Sequence, residues 1–391
     1  MKKINVGLLG FKFMGKAHSN AYSKLPMFFE LDAEIVKKAI CGPVEDEAEL
    51  AEAARKFGWE SYVAGWESLV AREDLDMIDI TAPSNLHKEV AIAAAESGKH
   101  VFCEKPLALT VSDARDILAA VQKAGVKHQV GFNYRFAPAV RLAKKMIDEG
   151  KIGEVYHFRG NYLQDFIIDP AFPLVWRLDK NVAGSGSHGD LGAHVIDLAR
   201  YLVGDFKRVL GLSKTFIKQR PIVEHMTGLS ATVAEGSKMG EVTVDDATMF
   251  LCEFDCGALG NFEATRFAAG HSNDLSFEIN GSKGSIKFNL LRINELQYFS
   301  REDESGLQGF RTIQVTEAGH PYGEHWWPTG HVIGYEHTFV HEFYEFFREI
   351  LSDKAKADTG PDFYDGMKCC QVLEAVERSA ESGAFIDISQ I

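Results

Sequence analysis

Long apolar runs are missing from this 391-residue chain, so no membrane-spanning segment is expected. Positive charge is in short supply. Lysine and arginine total 42 against 56 aspartates and glutamates, a net charge of −14 that repels nucleic acid and anionic membrane surfaces in general. Metal-ligand spacing is also absent. The six cysteines, Cys41, Cys103, Cys252, Cys256, Cys369 and Cys370, form no pattern with one another or with paired histidines. They read as reduced core thiols of a cytoplasmic protein, and no metal is expected. There is no internal repeat and no low-complexity stretch. The opening MKKINVGLLG has two lysines and a short apolar run, where a signal peptide needs a longer apolar core and a small-residue cleavage site. The run is expected to be a buried strand.

What is present is ample apolar material, 46% of residues, in a length that suits two domains. Short apolar strands are expected at 4–10, 36–41, 77–81, 100–104 and 126–133. Helical spacing falls between them, with glycines at 58 and 98 as stops. Such alternation predicts βαβ units and a parallel sheet covered on both faces. Beyond an amphipathic helix at 138–149 the pattern changes. Strands at 248–254, 257–267, 275–280 and 284–289 are joined by tight turns such as NGSKG, and helices return at 336–351 and 363–381. The fold class expected is α/β, with a doubly wound parallel sheet over residues 1–132. An α+β domain with a large, mostly antiparallel sheet follows over residues 133–391.

The first strand leads into Gly10-Phe11-Lys12-Phe13-Met14-Gly15 and then a helix. A dinucleotide-binding turn uses three glycines: one for the turn, one for pyrophosphate approach and one for helix–strand packing. Here Lys12 holds the middle place. Its ammonium either adds charge for phosphate or points to solvent. The second strand ends Ile40-Cys41-Gly42-Pro43, without the carboxylate that binds the ribose hydroxyls of NAD and without an arginine for the 2′-phosphate of NADP. NAD is the expected cofactor, with NADP open.

Two further segments carry chemistry. Cys103-Glu104-Lys105-Pro106 ends the fourth parallel strand, where ligands meet such sheets. The glycine-rich 184–189 segment leads into a helix carrying Asp190, His194 and Asp197, the first two sharing a face four residues apart. Alcohol oxidation needs a base for the hydroxyl proton as hydride leaves carbon, and histidine has nearly the right pKa. Each feature has a plain structural alternative: a turn with a surface lysine, a helix N-cap, a core histidine, an exposed charge. Their joint occurrence behind a dinucleotide-binding pattern favours catalysis.

At this point the chain resembles the Gfo/Idh/MocA oxidoreductase family. The match runs through TAPSNLH (81–87), CEKP, GFNYR (131–135), PLVWR (173–177), GDLGAH (189–194) and VDD (244–246). The second half, with NYLQD (161–165), HPYGE (320–324) and GYEHT (334–338), is most similar to the branch containing levoglucosan and sugar 3-dehydrogenases. The resemblance implies a Rossmann domain, NAD(P), a homo-oligomer (dimer or tetramer) formed through open sheets, and the triad Lys105, Asp190 and His194. It also implies that Thr81, Pro83, Asn85, His87, Glu104, Asn133, Trp176 and Arg177 lie around the cofactor with the glycine turn.

The residue types support a polyhydroxylated ring as substrate. Tyr134, Arg135, Tyr162, Gln164, Asp165 and Trp176 supply aromatic faces and planar hydrogen-bonding groups, and Tyr335 lies in an aromatic, histidine-rich stretch at 321–337. That stretch reads either as a lid, one reaching a neighbouring subunit's site included, or as a loop packed on the core. No dense cluster of lysine and arginine marks a phosphorylated sugar. The resemblance implies that the reaction is oxidation of a ring secondary alcohol of levoglucosan or a pyranoside, at C3, to a ketosugar. The alternatives are a myo- or scyllo-inositol dehydrogenase, an NAD-dependent glycosidase and a non-catalytic nicotinamide sensor.

Overall fold

The computed structural model describes residues 2–222, 237–352 and 360–391. They form two compact units, one of Met1–Asn133 with Tyr335–Cys370, the other of Tyr134–Gly334 with Gln371–Ile391.

The first unit is built on strands β1 (Lys2–Leu9), β2 (Ala33–Gly42), β3 (Ser61–Ala64), β4 (Met77–Ile80), β5 (His100–Glu104) and β6 (His128–Gly131). All neighbours pair in parallel, in the order β3-β2-β1-β4-β5-β6. That order reverses between β1 and β4, the switch point at whose carboxyl ends ligands bind. Five strands stand where apolar runs predict them. The edge strand β3 has no apolar signature, because its SYVA residues are only partly buried. The helices are α1 (Phe13–Phe28), α2 (Glu47–Phe57), α3 (Trp66–Val70), α4 (His87–Glu96) and α5 (Val111–Ala124). The last is bounded by side-chain chemistry: Thr110 accepts from the Asp113 amide, and Gly125 ends it in a left-handed turn. Helix α6 spans Pro138–Asp148, α7 Lys180–Ala183, α8 Ala193–Leu202, α9 Tyr335–Leu351 and α10 Phe363–Ser382. Of these, α9 belongs to the first unit and packs on α1. It buries Phe339, Phe343, Phe346, Phe347 and Ile350 along one stripe.

The second unit carries a nine-stranded sheet among the described residues. Its strands are β7 (Val155–Leu163), β8 (Phe206–Lys214), β11 (Ala247–Phe254), β12 (Leu259–Thr265), β13 (Asp274–Gly281), β14 (Gly284–Asn289), β15 (Glu295–Ser300), β16 (Arg311–Gln314) and β17 (Ile386–Asp387). A small ribbon of β9 (Gln219–Pro221) and β10 (Met239–Glu241) stands apart. The large sheet runs β16-β15-β14-β13-β7-β12-β11-β8-β17, antiparallel throughout except for the parallel pair β7–β12. Burial alternates along β11, β13 and β14, so one face is packed and the other open. Leu212, Met249, Leu251 and Leu259 are among the apolar side chains left exposed. Strand β7 is hard to see in sequence because Gly160 interrupts it. A Cβ there would stand 2.4 Å from Val195 of α8, so helix and sheet approach too closely for any side chain.

All six cysteines are free. Five are buried as expected. Cys256 is exposed, because it lies in the tight turn between β11 and β12 and not in a strand.

Candidate active site

The glycine turn follows β1 at the switch point. Gly10 has φ +105°, and a Cβ there would come within 2.4 Å of the Thr81 hydroxyl oxygen at the end of β4. A Cβ at Gly15 would stand 2.0 Å from the Gly10 carbonyl oxygen. These two positions therefore accept glycine alone. Thr81 Oγ1 donates to the Leu9 carbonyl at 2.7 Å and fixes the seam between the strands. Helix α1 starts at Phe13, and no side chain caps it. Its first-turn amides are thus unspent by side chains and suit the pyrophosphate of a dinucleotide.

Lys12 lies at the surface, its side chain 54% exposed, and is ion-paired there. Its ammonium pairs with Glu49 and with Asp46, 3.5 Å away, and lies 4.3 Å from the Phe11 ring centroid. Phe11 is buried, with its ring where a Gly42 side chain would be, while Phe13 is exposed and Met14 partly buried.

Glu104, at the end of β5, is held by residues the sequence did not single out. The fully buried His18 of α1 places Nδ1 2.9 Å from Asp79 Oδ2 and Nε2 3.1 Å from Glu104 Oε1. Tyr22, one helical turn on, donates to Asp79 at 2.6 Å. Burial alone would lower the His18 pKa. The Asp79 carboxylate, its hydrogen bond and Glu104 outweigh burial and raise it to about 10. His18 is therefore an imidazolium at neutral pH, donating from both nitrogens. The second oxygen of Glu104 accepts the Lys105 backbone N–H at 3.2 Å, so the imidazolium reaches the Lys105 backbone through one carboxylate. Gly131 leaves room for that carboxylate, since a Cβ there would stand 2.7 Å from its oxygen. The Lys105–Pro106 bond is cis.

His87 is buried at the start of α4. One ring nitrogen lies 2.9 Å from the Pro106 carbonyl oxygen and the other 3.0 Å from that of Ala82. Burial pushes its pKa down and the two carbonyls oppose this, and the ring lies between the 82–87 loop and the Lys105–Pro106 corner. Pro83 and Asn85 lie in that loop, in and beside its short 3₁₀ turn. Asn133 is buried and donates to Thr338 of α9 at 2.8 Å. Tyr335 opens α9, its ring 5.1 Å from that of Phe339.

In the second unit the glycine-rich segment is gathered by Asp245. This carboxylate accepts the amides of Gly186 (2.7 Å) and His188 (2.9 Å) and the Ser187 hydroxyl. Gly186 is required because a Cβ would sit 1.8 Å from the Asp245 carbonyl oxygen. The chain then makes a widened, π-type turn over His188–Gly192 before α8. Asp190 is on that turn and not on an ordinary helical one, with its side chain about one-third exposed (32%). It accepts Arg266 Nη2 at 2.7 Å.

His194 is buried with its ring 4.6 Å from that of Tyr134 and 5.9 Å from that of Tyr162. The Tyr162 hydroxyl donates to Asn273 Oδ1 at 2.7 Å, so Tyr134, 2.9 Å away, donates to Tyr162. Gln164 donates to the same Asn273 oxygen at 2.8 Å. Tyr134, Tyr162, Gln164 and His194 thus form one cluster. Asp165 is turned to the Gly270 amide. Arg135 is not aimed at open space. Buried, it gives Nε and Nη2 to both oxygens of the buried Asp197 at 2.8 and 2.6 Å, which commits that edge of its guanidinium to holding α8. The guanidinium of Arg177 lies 4.4 Å from the ring of the half-exposed Trp176. Burial lowers the Arg177 pKa; Asp190 opposes this and Arg266 adds to it.

Successive parts of the chain match two family descriptions. Residues 4–132 match "Oxidoreductase family, NAD-binding Rossmann fold", and 140–287 match "GFO/IDH/MocA C-terminal domain". The levoglucosan dehydrogenase of Pseudarthrobacter phenanthrenivorans is 46% identical over 396 residues, covering all of both chains. The scyllo-inositol 2-dehydrogenase (NAD(+)) of Bacillus subtilis is 31% identical over 68% of this chain and 71% of its own. Among solved structures, a levoglucosan dehydrogenase complex with NADH and levoglucosan has a TM-score of 0.90 at 44% identity, covering 99% of this chain and 100% of that one. An oxidoreductase domain protein from Kribbella flavida has a TM-score of 0.92 at 45% identity, with coverage of 99% and 100%.

Proposed function

Since the chain belongs to the Gfo/Idh/MocA family of NAD-binding oxidoreductases, we propose that it oxidises a ring secondary alcohol of a sugar to a ketosugar. The substrate is levoglucosan or a related pyranoside, reacting at C3. The observation that carries this reading is the cluster around His194. A buried imidazole lies tilted against the Tyr134 ring beside the Tyr134–Tyr162–Asn273–Gln164 chain, which brings aromatic and planar polar groups of the kind a polyol needs to one place. The full-length likeness to a levoglucosan dehydrogenase supports the choice of sugar.

NAD, when bound, supplies the hydride acceptor, and the Gly10–Gly15 turn with the α1 amides suits its pyrophosphate. The rest falls to side chains. His194 takes the hydroxyl proton. Asp190 holds that imidazole's charge as it forms, and Lys105 orients the reacting hydroxyl. The Tyr134 and Tyr162 rings exclude water from the sugar face.

The exposed Leu212, Met249, Leu251 and Leu259 on the open sheet support a homo-oligomer, dimer or tetramer, through that face. Five buried free thiols and use of NAD fit the cytoplasm. Among the described residues no helix is long and apolar enough to cross a membrane.

The test is NADH formation against levoglucosan, glucose, glucosides and inositols, with NAD and with NADP. Strong turnover of one pyranose or anhydrosugar is expected. Turnover of inositols alone moves the substrate to the cyclitols. Sugar cleavage without net NADH identifies a glycosidase. Silence with NAD demonstrably bound refutes the dehydrogenase reading.

A further inference from the structure

Arg266 follows β12 and is 1% exposed. One arm is satisfied, Nη2 donating to Asp190. Its Nε and Nη1 are buried and meet no acceptor among the described residues. A buried donor left unmet is costly, and in native proteins such a group calls for an explanation, a bound group among them.

The side chain borders a small, partly open cavity of about 10 Å³, walled by Phe166, Phe172, Val175, Leu178 and Arg177. That volume suits a single oxygen and not a whole ring. The surrounding loop is firmly placed. Buried Arg220 donates to the carbonyls of Ile167 (2.6 Å), Asp169 (2.9 Å) and Phe172 (3.3 Å), which sets the wall before anything binds. The chemistry of the lining is one-sided. Its two polar side chains are both guanidiniums, which only donate, and the others are apolar. A hydroxyl placed there would satisfy the arginine but would find no side-chain acceptor in the lining for its own proton. An ether oxygen has no proton to place.

We propose that Arg266 is a substrate-binding residue whose cavity receives the ring or bridging ether oxygen of a cyclic acetal, so that it selects sugars over cyclitols. The inference rests on the dehydrogenase reading above and adds to it the feature of the substrate that is recognised. It also gives Asp190 a defined place, since the guanidinium that reads the ether oxygen holds that carboxylate.

The test compares wild type, Arg266→Lys and Arg266→Met with levoglucosan and with scyllo-inositol, which has no ring oxygen. NAD affinity by calorimetry serves as the control for folding. Both variants are expected to raise the KM for levoglucosan about tenfold or more. Both variants also release Asp190, so inositol turnover falls with them, but the KM for levoglucosan should rise about fivefold or more beyond any rise for the inositol, with NAD affinity unchanged. A comparison independent of any variant uses the wild-type complex with NADH. A carbocyclic analogue, with methylene in place of the ring oxygen, should bind about tenfold more weakly than its parent sugar. Equal affinity for analogue and parent, or an unchanged sugar KM in both variants, overturns the assignment of Arg266 and leaves the dehydrogenase intact. A wild type that neither turns over nor binds any sugar removes the dehydrogenase reading, and the role of Arg266 with it.

Discussion

Replacing His18 with glutamine removes the one cation between Asp79 and Glu104. The ring is fully buried, faces both carboxylates, and is otherwise surrounded by Phe102, Phe339 and Phe343. Other titratable groups nearby are Tyr22, which donates to Asp79 and whose pKa burial and Asp79 drive up, Glu342, which acts on Tyr22, Cys103, whose thiol is pushed up by burial and by Glu104 and Asp79, and His87, which also feels Glu104. Breaking a buried ion pair from one side costs about 3–5 kcal/mol. Against the cost of burial, Asp79 and Glu104 raise the pKa from 6.5 to about 10, a shift of the same sign. The sign follows from the raised pKa: the stabilisation is complete below about pH 6.5 and is lost as pH rises through about 10. Urea unfolding of wild type and His18→Gln at a series of pH values checks this. The deficit should be about 4 kcal/mol near pH 6 and should shrink steadily toward pH 10. Adding Glu104→Gln should recover part of it by removing one uncompensated charge. A deficit under about 1 kcal/mol, or one equal at both ends of the range, would refute the charged network.

Other outcomes are equally specific. Lys105→Ala should lower kcat by about a hundredfold or more while NADH titration gives a near-normal affinity, because general acid–base partners carry about that much. Gly15→Ala drives a methyl into the Gly10 carbonyl, so calorimetry should show NAD binding largely lost, with the far-ultraviolet spectrum kept. Asp245→Ala strands the Gly186 and His188 amides, while the Ser187 hydroxyl keeps the Ala264 carbonyl as acceptor. It should cost about 2–3 kcal/mol in denaturation and depress kcat more than it raises KM, since Asp190 loses its platform.

The parallel sheet was legible because its strands are buried on both faces and read as unbroken apolar runs. The partly exposed β3 and the glycine-broken β7 were not. Local features were legible, as in the glycine turn at 10–15 and the 103–106 corner, whereas the ordinary helical spacing expected of Asp190 and His194 gives way to a π-type turn at 188–192. Sites were hidden where the chemistry is long-range. His18 meets partners 61 and 86 positions away, and Arg266 meets Asp190 across 76. A charge inside an apolar strand was the available hint for the first, Asp79 within MIDI, while Arg266 follows its strand and carried no such mark. Arg135 shows the converse. Its residue type suits a sugar, yet Asp197 holds its Nε and Nη2, and nothing in the sequence displays that partnership. The absence of a basic cluster in the sequence likewise misses Arg177 and Arg266, 89 positions apart in the chain but bordering one cavity.

The pairing of Lys12 with Asp46 and Glu49 bears on how the cofactor is held in cells of differing ionic strength. A phosphate gripped by a free lysine loses affinity as salt rises, because screening over about 8 Å weakens that attraction. Here the lysine's charge is met by two carboxylates, and the turn presents neutral amides at close range. Affinity for the dinucleotide then depends on backbone shape, and potassium should leave it almost unmoved over the concentrations a cell experiences.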